Sequence, residues 1–173
     1  MSLDRVISAF DLQVQWCEQM DAPFTAGLIR AAAADMRAGG VVAKLLGDWP
    51  GHPIADALMM RFTGALHAAA LSGRDLDLAA HYPAAQPDWR MEQVWPRVLA
   101  FLARDEAWVR DFLKSPPQTN ETRRAIALLP GFLSQAKHGP MHLFELGASA
   151  GLNSMWSRFR YETETWKWGE PAS

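Results

Sequence analysis

Hydrophobic positions fall into two regimes along this chain. From residue 3 to residue 20, Val6, Ile7, Phe10, Val14 and Cys17 recur at steps of three and four, which lines one face of a helix. Pro23 suits the first turn of a second helix, which runs through the alanine-rich positions 28–38 and stops at Gly39-Gly40. A short helix is predicted over 41–46, ended by Gly47-Asp48-Trp49-Pro50-Gly51. Pro53 opens a longer one over 54–71, closed by Ser72-Gly73. Positions 75–80 read as a helical turn and 82–88 as a loop. The helical period resumes at Trp89 and runs to Leu113, with Pro96 requiring a start or a bend beside it. Ser115-Pro116-Pro117 interrupts it, and Thr119 or Asn120 supplies an N-cap for a helix over 121–137, which Pro130 should kink or split.

After Pro140 the period changes. Leu143-Phe144-Glu145-Leu146 reads as a buried strand, the residues from Gly147 to Gly151 as a glycine-rich turn, and those beyond as a helix. Glycine lets a backbone come close to a ligand and present its N–H groups to it. The segment 160–168, rich in threonine and aromatics, is a candidate second strand. The predicted architecture is therefore mainly α. A helical bundle over 1–138 leads, over 139–173, into the first β–α unit of a Rossmann-like, methyltransferase-type α/β sheet. A lone parallel strand does not finish a sheet, so the chain reads as the truncated front part of a larger protein. Leu143, Phe144 and Leu146 then expect cover, from a second copy in a homo-oligomer or from a helix.

Composition narrows the class. The chain has 173 residues, 49% of them hydrophobic and 21% charged, as expected of a globular protein. A net charge of −2 leaves no electrostatic footprint for nucleic acid. The single cysteine, Cys17, excludes an internal disulfide and fits a reducing compartment. The first residues do not form a secretory signal, and no apolar run reaches the length of a membrane helix, so a cytoplasmic location is expected. Eight tryptophans supply apolar bulk for helix packing; Trp166 and Trp168, beyond the glycine turn, have flanking a ligand as the alternative role.

The turn carries the first candidate chemistry. An acid at the end of a strand, followed by glycines, is how a Rossmann-like methyltransferase receives S-adenosylmethionine, the acid accepting hydrogen bonds from the methionyl ammonium. Glu145, Gly147, Ser149, Gly151 and Asn153 are the candidate cofactor-binding positions. The competing reading is a purely structural turn. Gly147-x-Ser149-x-Gly151 also spells a nucleophile elbow, with Ser149 as the serine of a hydrolase. That fold requires several strands before the elbow and an acid and a histidine after it, whereas only helices are read upstream and the last histidine is His142. Neither the dinucleotide nor the P-loop glycine spacing is present.

Gln118, Thr119, Asn120, Glu121 and Arg124 form a polar group at the start of a helix, read either as capping or as the lining of a pocket facing the turn. In Arg61-Phe62-Thr63-Gly64-Ala65-Leu66-His67, His67 is expected to be an interior, hydrogen-bonded histidine, and Gly64 to answer a close packing contact. Histidine and cysteine spacing gives no metal site.

Four stretches in order carry a resemblance: Arg61 to His67 with Ser72-Gly73; His81-Tyr82-Pro83; Gln118-Thr119-Asn120-Glu121 with Arg124; and Glu145 to Asn153 with Arg158-Phe159-Arg160-Tyr161. Together they resemble the bacterial family known as domain of unknown function 2332, over nearly the whole chain. The resemblance implies a helical N-terminal part joined to a methyltransferase-type sheet, S-adenosylmethionine as cofactor and a small-molecule or macromolecular methyl acceptor. It raises the pocket reading of 118–121 above capping alone, and it establishes no catalytic residue. In this sequence no acid stands where the second strand of such a sheet would hold the ribose hydroxyls. The fragment by itself is not expected to be catalytically competent. The reading from another class is a helical interaction or oligomerisation module with a structural turn.

Overall fold

The computed structural model describes residues 3–117 and 121–170, and these are mainly helical. The chain divides into two compact units, Met1–Pro117 and Gln118–Ser173. Helical backbone gives way to turns after Lys137, whereas the units divide after Pro117, which puts the last α-helix in the second.

In the first unit α1 (Leu3–Gln19) buries the predicted stripe, Val6, Ile7, Phe10, Val14 and Cys17, with Ala9 and Gln13 alongside. Its main neighbour is α2 (Pro23–Arg37), which starts at Pro23 and buries Leu28, Ile29, Ala32, Ala33 and Met36. Gly39, at φ +68, lets the chain leave α2. The Asp35 carboxylate then accepts a hydrogen bond of 2.7 Å from the Val42 amide at the start of α3 (Val41–Leu46).

The central element is α4 (Leu58–Leu71), in contact with α1, α2, α5 and α7, and apolar on most of its circumference. It begins at Leu58 rather than at residue 54. The turn before it is held by side chains that a periodicity does not register: Trp49 Nε1 donates to the Asp56 carboxylate at 2.8 Å, and Arg61 Nε donates to the Asp56 carbonyl at 2.7 Å. Ala57 takes a left-handed conformation at the junction. Arg61 also donates to the carbonyls of Leu113 and Lys114, at 2.9 and 3.0 Å, closing the end of α7.

Asp75 caps the short α5 (Leu76–Ala80), accepting from the Leu78 amide at 2.8 Å. The predicted helix over 89–113 is two, α6 (Met91–Arg104) and α7 (Glu106–Leu113). The break falls at Asp105, whose carboxylate takes Arg104 at 2.7 Å and Arg74 at 3.3 Å. Pro96 lies inside α6 on an exposed face, where the amide hydrogen it lacks is not missed.

The second unit holds α8 (Arg124–Ala136), a 3₁₀ helix (Leu152–Arg158), and the strands β1 (Tyr161–Glu162) and β2 (Lys167–Trp168). α8 runs through Pro130 without splitting, again because the proline is exposed. Its core is Ala125, Leu129, Trp156 and Tyr161, with Phe132 and Trp168 stacked on either side of Trp156 at centroid distances of 4.8 and 5.8 Å. Trp168 therefore packs, and Trp166 stays partly exposed.

Two sequence expectations are corrected here. The segment 160–168 is an antiparallel hairpin, pairing Tyr161 with Trp168 and Glu162 with Lys167, and not one strand. No strand forms at 143–146: Phe144 is 90% and Leu146 97% exposed. A strand needs a ladder partner to satisfy its backbone, and none of the described residues supplies one.

Candidate functional site

The turn is built around one carboxylate. Glu145 Oε1 accepts from Asn153 Nδ2 at 3.1 Å, and Oε2 accepts from Ser154 Oγ at 3.0 Å. The acid is thereby fixed across the loop, on the first turn of the 3₁₀ helix. Between them Gly147 (φ +67), Ser149 (φ +54) and Gly151 (φ +71) take left-handed conformations. The Gly151 amide donates to the Ala148 carbonyl at 2.7 Å, and the Ser154 amide donates to the Gly151 carbonyl at 3.1 Å. A Cβ on Gly147 or Gly151 would meet nothing within 4 Å, so these glycines serve the backbone angle and leave the outside of the turn open.

Beside the turn lies a cavity of about 260 Å³, lined by Arg124, Leu128, Phe132, Leu143, Phe144, Glu145, Asn153 and Ser154. Arg124, Leu128 and Phe132 stand four apart and share one face of α8, while Ala125 and Leu129, one position on, face the core. The Arg124 guanidinium makes no ion pair or hydrogen bond among the described residues. Asn153 Oδ1 is buried without a hydrogen-bond partner. One apolar hollow thus presents the Arg124 guanidinium and a positioned carboxylate.

Of the predicted cofactor positions, Glu145 and Asn153 line this cavity, whereas Gly147, Ser149 and Gly151 shape the turn without lining it. Ser149 is exposed, and its hydroxyl has no hydrogen-bond partner among the described residues, so no base is set against it there. Of the predicted pocket residues Arg124 lines the cavity. Glu121 instead accepts from the Arg123 amide at 3.0 Å, and Gln118, Thr119 and Asn120 lie outside the described residues. Sequence reasoning missed Leu128, Phe132 and Ser154, and it took Leu143 and Phe144 for strand positions rather than lining. The four-residue step from Arg124 was the available signal for the first two; Ser154 left none.

The other singled-out residues belong to the first unit. His67 is exposed and its ring makes no hydrogen bond among the described residues, correcting the expectation of an interior histidine. Gly64 does not answer a tight contact: an added Cβ would meet only Phe112, at an ordinary 3.6 Å. Among the described residues no group of three His, Cys, Asp or Glu is placed to hold a metal ion, and no helix is long and apolar enough to cross a membrane.

No curated protein and no solved structure shows a significant match to the chain. The sequence profile of domain of unknown function 2332, described as an uncharacterised protein conserved in bacteria, matches residues 8–173. That match takes in all four stretches quoted above, the one around Glu145 included, and the chain belongs to the domain of unknown function 2332 family.

Proposed function

We propose that the cavity beside Glu145 receives the amino-acid end of S-adenosylmethionine, and that the chain is methyltransferase-like. The observation that supports this best is the presence of Arg124 and Glu145 on one apolar cavity. A zwitterionic amino acid matches that pair. Its carboxylate takes the two-pronged guanidinium of Arg124, and its ammonium donates to Glu145. Leu128, Phe132 and Leu143 pack on the aliphatic and thioether part.

Size sets the limit of the fit. At about 260 Å³ the cavity falls just below the range of roughly 300–1,000 Å³ usual for small-molecule sites. It would hold the methionyl end, and the exposed ring of Phe144 would offer the adenosyl end a stacking face. When bound, the cofactor supplies an electrophilic methyl group for a small-molecule or macromolecular acceptor. The chain's own residues bind it, orient it and shield one end from water.

Calorimetry with S-adenosylmethionine, and with L-methionine and methioninol as fragments, tests the reading. Arg124→Ala and Glu145→Gln should each weaken S-adenosylmethionine at least ~10-fold, about 1.4 kcal/mol. Arg124→Ala should leave methioninol, which has no carboxylate, unaffected. Absence of binding at millimolar ligand to a folded sample overturns the proposal. Exposed Phe144 and Leu146 favour the second reading, an interaction module covered by another copy of the chain. Sedimentation that becomes monomeric on Phe144→Ser with Leu146→Ser would support it.

A further inference from the structure

The carboxylate of Glu145 stands on an open stretch of chain. The backbone of 141–144 makes no hydrogen bond among the described residues, and the neighbouring Phe144 and Leu146 face solvent. Left to itself, a glutamate there would sample several rotamers and would have to be fixed when a ligand arrived. We propose that Ser154 is a positioning residue of the cavity: its hydroxyl, together with the Asn153 amide, holds the Glu145 carboxylate ready for the ligand's ammonium. This inference rests on the reading of the cavity as an amino-acid site.

The geometry supports that role in three ways. One donor falls on each oxygen of the acid, Ser154 Oγ on Oε2 at 3.0 Å and Asn153 Nδ2 on Oε1 at 3.1 Å. A bond to each oxygen fixes the plane of the carboxylate, whereas a single bond leaves it free to swing. These bonds also leave acceptor capacity, because an ionised carboxylate has about four lone-pair sites and only about half are used. Finally, the donors ride on an anchored element. Trp156, two residues beyond Ser154 on the 3₁₀ helix, is buried in the core of the second unit.

Of the two donors, Ser154 is the one that can be altered cleanly. It is exposed and lines the cavity, so removing its hydroxyl disturbs no packed core. A bond that merely tied the turn together would, when lost, weaken every ligand of the cavity. A bond that aims the carboxylate costs only the ligands that use the carboxylate.

Calorimetry on the whole chain with two fragments separates these roles. Methioninol has the ammonium and no carboxylate; desamino-methionine has the carboxylate and no ammonium. Ser154→Ala should weaken methioninol at least ~5-fold and leave desamino-methionine within ~2-fold. Ser154→Thr, which keeps the hydroxyl, should restore methioninol. Equal losses for the two fragments, unchanged methioninol binding by Ser154→Ala, or no recovery with Ser154→Thr each overturn the proposal while the amino-acid reading stands. Binding of neither fragment by the unaltered chain overturns that reading, and the proposal with it. If Ser154→Ala fails to fold, scalar couplings across the Glu145 side chain in the ligand-free, unaltered protein decide the matter. A single rotamer is expected, and averaging over several overturns the proposal.

Discussion

The two units treat their apolar residues differently. In the first, Phe10, Phe62, Phe101, Ile29 and Met36 are shut off from water by helices that contact one another. In the second, burial is limited to Ala125, Leu129, Trp156 and Tyr161, and Phe144 and Leu146 face solvent although their sequence is as apolar as any core segment. Kind of pattern, not amount of apolar surface, separates them. A helix satisfies its own backbone and needs a neighbour only for its stripe; a strand needs a neighbour for its backbone as well. The unit made of helical stripes closes on itself, and the stretch with the strand pattern stays open.

The largest expected effect probes that contrast directly. Phe62→Ala empties the centre of the first unit and should cost about 3–5 kcal/mol in urea unfolding. Leu146→Ala, an equally apolar truncation, should stay within about 0.5 kcal/mol, because its side chain is already in water. A cost above about 1 kcal/mol for Leu146→Ala would mean that something covers the segment in solution, and the contrast between the units would fail.

The same contrast explains what could be read beforehand. Helix ends marked by proline or glycine, at Pro23, Gly39-Gly40 and Ser72-Gly73, were legible because those residues act on the local backbone. The late start of α4 and the break at Asp105 were not, since both rest on side-chain bonds such as Trp49 to Asp56 and Asp105 to Arg74. Pro130 left α8 unsplit, an outcome its position in the sequence does not give. At the candidate site, Glu145 and Asn153 were legible as an acid and an amide around a glycine turn, and the structure sets both on a cavity with Arg124. Phe132 and Leu128 were passed over because a helix with Pro130 inside it was read as kinked or split, which hides a four-residue stripe.

The chain's two tyrosines sharpen the comparison, one in each unit. Burial pushes the phenols of both Tyr82 and Tyr161 above the ordinary tyrosine value. The Tyr161 hydroxyl donates to the Trp156 carbonyl at 2.9 Å, and that of Tyr82 has no partner. A phenol raised in the folded state adds stability below the unfolded value of about 10, and that stability is lost as pH climbs through the folded value. Both units should therefore weaken above about pH 10, and phenolate absorbance should appear only on unfolding. Tyr82→Phe should remove its share of the alkaline loss without harm at neutral pH, since no hydrogen bond goes with the hydroxyl. Tyr161→Phe should cost about 0.5–1.5 kcal/mol at neutral pH. Phenolate absorbance from the folded Tyr161→Phe chain near pH 10 would show that Tyr82 is solvated.

A last set of effects lies in the turn, where backbone angles rather than burial set the energy. Gly151 (φ +71) has open space around it, so Gly151→Ala meets no clash and should cost only the left-handed penalty, about 1–2 kcal/mol. Ser149 already bears that penalty at φ +54. Ser149→Gly would relieve it but would also free the unfolded chain, at about 0.4–1 kcal/mol, so the net change in stability should be near zero. Ligand binding separates the two further, because neither side chain lines the cavity. If the turn acts only by aiming Glu145 and Asn153, Gly151→Ala should weaken the methionine fragment in proportion to the exchange it induces in amides 145–154, and Ser149→Gly should leave it alone. A large loss from Ser149→Gly would give the hydroxyl a direct role in binding and would break the division between residues that shape the turn and residues that line the hollow.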